Sequence, residues 1–168
     1  MIHAENLLLP VVLGLGSNLG DSRSIIREAV KVLANLIKDL RTASFYRTAP
    51  LYVKDQSHFI NTAVSGFYDK TPEQLLSVIQ QIEADFGRDR KSERRWGERS
   101  LDIDILLFGD LVFKGADLEI PHPRIKERRF ALEPLLELLP CALEPGTGIS
   151  YRSICDALPD QWVIVYIL

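Results

Sequence analysis

Residues Leu101-Asp102-Ile103-Asp104-Ile105 alternate strictly between apolar and acidic side chains. A helix cannot gather that pattern onto one face, whereas a β-strand sends successive side chains to opposite faces. The run predicts a strand over 101–108 with Leu101, Ile103 and Ile105 on a covered face and Asp102 and Asp104 side by side on the other. Its apolar face needs a covering layer, which excludes an all-α fold and calls for helices packed on a sheet. Two such helices are legible. Ile25, Ile26, Ala29, Val30, Leu33, Leu36, Ile37 and Leu40 keep the i, i+3, i+4 spacing of one buried face, behind Asp21 or Ser22 as a cap. Thr71 at the N-cap, Pro72 at N1 and Gln74 at N3 spell a capping box for the second. Its apolar face is Leu75, Leu76, Ile79, Ile82 and Phe86, and Gly87 suits the stop.

Val11-Val12-Leu13 reads as a first strand that turns sharply at the glycines of Gly14-Leu15-Gly16-Ser17-Asn18. Thr42 to Tyr46 and Phe59 to Phe67 read as extended, with a long loop over Arg47 to His58. The 101–108 strand turns at Gly109-Asp110 into Leu111 to Phe113. The order β-α-β-β-α-β predicts an α+β fold: a ferredoxin-like antiparallel sheet with helices on one face. C-terminal additions follow, with helices near Phe130–Leu139 and Ser150–Leu158 and an apolar end at Trp162–Leu168. At 168 residues the expectation is one domain over 1–168, domains running to roughly 100–200 residues.

Charge bounds the partners. Lys plus Arg number 20 against 23 Asp plus Glu, a formal net charge of −3, where a general nucleic-acid binder carries an overall basic footprint. No nucleic-acid partner and no obligate protein partner are expected. Cys141 and Cys155 make no disulfide framework and read as small hydrophobes. The apolar stretch Leu7 to Leu15 is interrupted by Pro10 and preceded by Glu5, unlike a signal peptide. No run approaches the ~18 apolar residues of a membrane span, so a cytoplasmic location without membrane contact is expected.

Two carboxylates on one strand face repel each other unless a cation lies between them. Hard oxygen ligands suit Mg²⁺, which takes one or two carboxylates and fills its shell with water and substrate phosphates. An acidic solvent face of a half-buried strand has the same pattern. What favours a metal is the segment upstream, where Arg88, Arg90, Lys91, Arg94, Arg95 and Arg99 outnumber Asp89, Glu93 and Glu98. A second basic run spans Arg124 to Arg129. Guanidinium groups beside a carboxylate pair fit a polyphosphate, metal on one side and arginine on the other. His122, between Pro121 and Pro123, can donate to a phosphate. Trp96 and Phe130 lie beside cations and serve either core packing or stacking on a planar heterocycle. Asn61, polar within an apolar strand, offers donors and an acceptor to such a ring.

Five segments resemble the 6-hydroxymethyl-7,8-dihydropterin pyrophosphokinase family: Gly14 to Gly20 (GLGSNLG), Ser44 to Leu51 (SFYRTAPL), Phe59 to Val64 (FINTAV), Arg95 to Ile105 (RWGERSLDIDI) and Ile120 to Pro123 (IPHP). The resemblance runs from about Val11 to Leu139. It implies a ferredoxin-like enzyme of folate biosynthesis that moves the β,γ-diphosphate of ATP onto the pterin hydroxymethyl group and releases AMP. Asp102 and Asp104 would hold two Mg²⁺ ions, with Arg95, Arg99, His122 and Arg128 on phosphates and Arg88 and Arg90 closing over the reaction. Gln80, Glu83 and Ile105 would face ATP. Thr48, Pro50, Leu51 and Asn61 would surround the pterin edge, Phe59 and Phe130 its faces, and Trp96 would touch both substrates. The chain departs from the family pattern at Tyr52, often glycine, at Phe59 and Pro123, often tyrosine, and in its paired Arg94-Arg95; Arg95 directly precedes Trp96 and takes the phosphate role.

A noncatalytic ferredoxin-like RNA-binding module is the rival reading. It requires exposed aromatics in an Arg/Lys-Gly-Phe/Tyr-Gly/Ala-Phe pattern, which the chain lacks, and it gives the two aspartates no role.

Overall fold

The computed structural model describes residues 8–52, 55–88 and 97–166. Its elements run β1 (Leu9–Ser17), α1 (Ser22–Ala34), β2 (Lys38–Thr42), β3 (Tyr46–Thr48), β4 (Phe59–Tyr68), α2 (Pro72–Asp85), β5 (Asp102–Phe108), β6 (Phe113–Lys114), β7 (Glu119–Ile120), α3 (Arg129–Leu138), α4 (Tyr151–Ala157) and β8 (Val163–Val165). The main sheet is ordered β5-β1-β4-β3-β8, with β2 also on β4, and its strand pairs are antiparallel. This is an α+β architecture.

Helices cover both faces of the sheet, not one. Odd residues of β1 (Val11, Leu13, Leu15) join Ile26 and Leu33 of α1 and Leu75 and Ile79 of α2 in one core. Val12, on the opposite face, joins Ala63, Leu106, Leu132 and Leu135 in a second core under α3 and α4. The small Ala63 and a bulge let α3 approach. The β1–β5 register shifts between Val12 and Leu13, so Leu106 and Leu107 both serve the α3 core while Phe108 returns to the other. The bulge thus breaks the alternation just past Asp104.

Several boundaries differ from the sequence expectation. β1 continues through Gly14 and Gly16 to Ser17, and the turn falls later, at Gly20 with φ +74°. α1 is capped by Asp21, whose side chain accepts from Ser24 N–H, and ends at Ala34. Ile37 prolongs the helical spacing because it is buried in the same core from the turn beyond the helix, while Lys38–Thr42 becomes an edge strand on β4. Leu111–Phe113 forms no hairpin with β5: Gly109 N–H donates back to Pro10, and Phe113–Lys114 pairs with Glu119–Ile120. The apolar end supplies β8, paired with β3. The Thr71 capping box is present as read. Among the described residues, no helix is long and apolar enough to cross a membrane.

Candidate active site

The bare backbone of β1 forms the floor of the site. Gly16 lies between Asp102 on β5 and Asn61 on β4, and Gly14 lies between Asp104 and Ala63. Because side chains alternate, the two carboxylates and Asn61 rise from the α3 face of the sheet over two positions without side chains. A Cβ at Gly16 would stand 2.6 Å from Asn61 Oδ1, and one at Gly14 3.3 Å from a Leu106 methyl. The glycines that read as a turn in the sequence therefore keep a pocket open. Leu51, Phe59, Asn61 and Phe130 line that pocket, and Arg99, Asp102, Asp104 and Arg128 form its polar end. Asn61 is buried and its Nδ2 donates to Thr48 Oγ1 at 2.7 Å, which fixes the amide. Thr48 is buried below it, and Pro50 is half-buried in the adjoining loop.

Asp102 accepts from Arg88 Nη1 and from Arg99 Nη1, one guanidinium on each oxygen. Burial pushes its carboxyl up, but Arg99 and Arg88 outweigh that and hold it below the usual range. Arg88 is braced from behind by Glu83, at 2.5 Å, and the same Glu83 oxygen accepts from Ile103 N–H at 2.8 Å. Glu83 is fully buried, so it faces Arg88 and the β5 backbone, not an open nucleotide site. In the structure its charge is met by a cation and an amide.

Asp104 has less compensation. Arg128 Nη1 donates to its Oδ2 at 3.1 Å, and His122 Nε2 lies 3.7 Å from the same oxygen. Burial and the neighbouring Asp102 charge push the Asp104 carboxyl up to about 6, against Arg128, Arg99 and Arg88. Burial and Arg128 push His122 down to about 4, so the ring is neutral at pH 7. Its Nδ1 accepts from Arg124 N–H at 3.1 Å, which assigns the proton to Nε2, on the side of Asp104.

The strained Asp102–Asp104 pair is what a divalent cation would relieve. Among the described residues no group of three or more His, Cys, Asp or Glu could hold a metal alone. The two carboxylates fit Mg²⁺, which fills the rest of its shell with water and phosphate oxygens. Arg88, Arg99, His122, Arg124 and Arg128 line a cleft over the pair, and Leu76, Gln80, Ile105 and His122 line a further recess beside Asp104. Arg90, Arg95 and Trp96 lie outside the described residues.

Five contributors escaped the sequence reading. Gly14 and Gly16 carry no hydropathy signal; Asn18 sat in the same glycine-rich stretch; Tyr52 and Arg124 sat in a loop and a charge run. Tyr52 lines the pocket, with the Arg124 guanidinium 4.4 Å over its ring.

A family model described as 7,8-dihydro-6-hydroxymethylpterin-pyrophosphokinase matches residues 12–140. The chain belongs to this pyrophosphokinase family. It is similar to the 2-amino-4-hydroxy-6-hydroxymethyldihydropteridine pyrophosphokinase of Bacillus subtilis, 41% identical over 128 residues and covering 75% of each chain. The corresponding Aquifex aeolicus pyrophosphokinase is 36% identical over 135 residues, 80% of this chain and 83% of that one. The mitochondrial folate synthesis bifunctional protein of Arabidopsis thaliana is 41% identical over 154 residues, 91% of this chain. This chain spans only 27% of that plant protein, about a quarter of its length. A crystal structure of Plasmodium falciparum HPPK-DHPS shares the fold, with a TM-score of 0.75 at 17% identity over 90% of this chain and 46% of that one.

Proposed function

We propose that this chain transfers the β,γ-diphosphate of ATP to the hydroxymethyl group of 6-hydroxymethyl-7,8-dihydropterin, releasing AMP and forming the pterin diphosphate for folate biosynthesis. One observation carries the reading. The Asp102–Asp104 pair stands where an aromatic-walled pocket meets an arginine-lined cleft, so a flat heterocycle and a polyphosphate would meet at the carboxylates.

Phe59 and Phe130 wall the pocket for the pterin faces, and Asn61 presents its amide to the ring edge beside Leu51. Two Mg²⁺ ions held by Asp102 and Asp104 would neutralise charge on the transferred phosphoryl group and the departing AMP. Arg88, Arg99 and Arg128 offer donors to phosphate oxygens as charge shifts along the chain, joined by Arg90, Arg95 and Trp96 from the neighbouring segment. Neutral His122 offers Nε2–H beside Asp104. Gln80 and Ile105 line the recess that extends past Asp104, a suitable seat for the nucleoside. The same reading takes residues 1–168 as one pyrophosphokinase unit. The strand order β5-β1-β4-β2, with β3 continuing the β2 edge, supports a ferredoxin-like plan extended by α3, α4 and β8. An RNA-binding role finds no support: the sheet face that α3 packs on carries two carboxylates, whose charge repels a phosphate backbone.

The test is mass spectrometry of the protein mixed with ATP, Mg²⁺ and the hydroxymethyl pterin. AMP and a diphosphorylated pterin should form in equal amounts and vanish with a chelator, and Asp104→Asn should slow turnover at least ~100-fold. Release of ADP, or no product, would overturn the reading.

A further inference from the structure

The last strand lies beyond the family match, which ends at residue 140, yet it reaches the pocket from outside. β8 pairs with β3, placing Val163 opposite Thr48 and Val165 opposite Tyr46. The short strand that carries Thr48 is therefore flanked by β4 on one side and β8 on the other, and Thr48 in turn fixes the Asn61 amide. At the end of this ladder the N–H of Ala49, a pocket-lining residue, donates to the Trp162 carbonyl at 3.4 Å. The Trp162 ring packs on His58, with centroids 4.9 Å apart and planes at 39°, immediately before Phe59. Trp162 thus holds both ends of the β3–β4 connection. Gln161 grips the opposite wall: its Oε1 accepts from Arg129 N–H at 2.8 Å, and its Nε2 donates to the Glu127 carbonyl at 2.7 Å. The N-cap residue of α3, Arg128, makes no side-chain cap bond, so Gln161 supplies an acceptor to the helix's first turn, one residue from Phe130.

We propose that Gln161 and Trp162 are positioning residues that set the separation of the two aromatic walls, Phe59 and Phe130, and thereby the affinity for a flat heterocycle. The inference rests on the pyrophosphokinase reading and adds two residues to the pterin end of that site. Dispersion contacts to a planar ligand fade within less than an ångström, so the spacing of the walls decides how well a ring is held. Phe59 opens β4 and Phe130 belongs to α3, two elements far apart along the chain. Gln161 and Trp162 are consecutive, about 3.8 Å from Cα to Cα, so the two walls they grip are held at a fixed reach. Trp162 also adopts φ +47°, a left-handed conformation that is costly for a large side chain. Asp160 Oδ1 keeps it there by accepting the Trp162 N–H at 2.9 Å. Relaxing that turn would carry the carbonyl away from Ala49 or the ring away from His58. Release at either residue frees the same connection, so the two act as a unit. Neither lines the arginine cleft, and the effect falls on the heterocycle rather than on the polyphosphate.

The test is equilibrium binding of the hydroxymethyl pterin and, separately, of a non-hydrolysable ATP analogue with Mg²⁺. It uses the full chain and its Trp162→Phe, Trp162→Leu, Gln161→Ala and Gln161→Ala/Trp162→Leu variants, with urea midpoints to establish that each is folded. Trp162→Leu keeps apolar bulk without a stacking face and should weaken the pterin ~3- to 10-fold. Gln161→Ala should do so by a similar factor, and the double variant by no more than the larger single loss. The analogue should lose less affinity than the pterin in every case. Trp162→Phe restores an aromatic face and should bind the pterin as the unsubstituted chain does. Undiminished pterin affinity in folded Trp162→Leu, additive losses in the double variant, or equal weakening of both ligands would overturn the proposal while leaving the pyrophosphokinase reading intact. Should Trp162→Leu fail to fold, Gln161→Ala decides alone: a selective loss of pterin affinity supports the proposal, and undiminished affinity overturns it. An unsubstituted chain that binds no pterin would overturn both.

Discussion

Asn18 and Arg99 hold one another by reciprocal hydrogen bonds: Arg99 N–H donates to Asn18 Oδ1 at 2.8 Å, and Asn18 N–H donates to the Arg99 carbonyl at 3.1 Å. The Asn18 amide also donates to Gln56 Oε1 and to the Ser57 carbonyl, both at 3.2 Å. One buried side chain at the end of β1 thus fastens two segments. One carries the arginine that pairs with Asp102, and the other leads into the pocket strand β4.

Replacing Asn18 with alanine should act on both stability and binding. It leaves the part-buried Arg99 N–H without its acceptor, and a typical hydrogen bond contributes about 0.5–1.5 kcal/mol. Urea unfolding should show a loss of that size. Because Arg99 is also released from its register against Asp102, calorimetric titration should show nucleotide affinity falling ~10-fold, as for a lost charge-assisted bond. A variant destabilised to this extent that binds nucleotide undiminished would reduce Asn18 to a packing residue.

The floor of the pocket sets a second expectation, in the form of a ranking. At Gly16 an added methyl meets Asn61 Oδ1 at 2.6 Å, and the amide cannot swing aside without breaking its bond to Thr48. At Gly14 the same methyl meets the tip of Leu106 at 3.3 Å, a flexible side chain that gives by a few tenths of an ångström. Gly16→Ala should therefore raise KM for the pterin at least ~10-fold, in keeping with a disturbed polar reading of a ligand, with a smaller change in KM for ATP. Gly14→Ala should disturb either constant less. Steady-state kinetics on the pair decides the matter, and equal effects at both positions would contradict the open-floor account.

The residues that announced themselves in the sequence are those with a local grammar. The Thr71 box needs only its own first turn, and it is present. The Asp102–Asp104 alternation needs only one strand, and it is there until the bulge between Val12 and Leu13 shifts the register. What stayed hidden depends on neighbours distant along the chain. Gly14 and Gly16 reveal their purpose only when β4 and β5 flank them, because a missing side chain leaves no period to detect. Glu83 resembles any acidic residue on a solvated helix face until Arg88 and the Ile103 amide converge on it. The second core was obscured for a similar reason: Val12 and Ala63 are too small to signal a packed face without seeing α3 against them.

Acid sensitivity provides a third expectation, located away from the site. Near the end of α3, Glu137 accepts from Ser44 N–H and Ser44 Oγ at 2.9 Å and from Tyr46 Oη at 2.6 Å, tying the helix to the segment around β3. Burial pushes the Glu137 carboxyl up, but the donors from Tyr46 and Ser44 outweigh it, and its pKa lies below the ordinary 4.5. A folded-state pKa depressed below the unfolded one adds stability that is fully present above the unfolded value. It is lost as pH falls through the folded value, when the carboxylate is protonated and its acceptor capacity drops. Glu137→Gln removes this titration. Because the side chain is exposed, its contribution is screened and should stay under ~1 kcal/mol at pH 7. Urea midpoints measured from pH 3 to pH 8 should show the native chain more stable than the variant in the neutral range, with the two curves converging on the acid side of 4.5. Curves that run parallel across the whole range would show that the ionised carboxylate contributes nothing to holding α3 against β3.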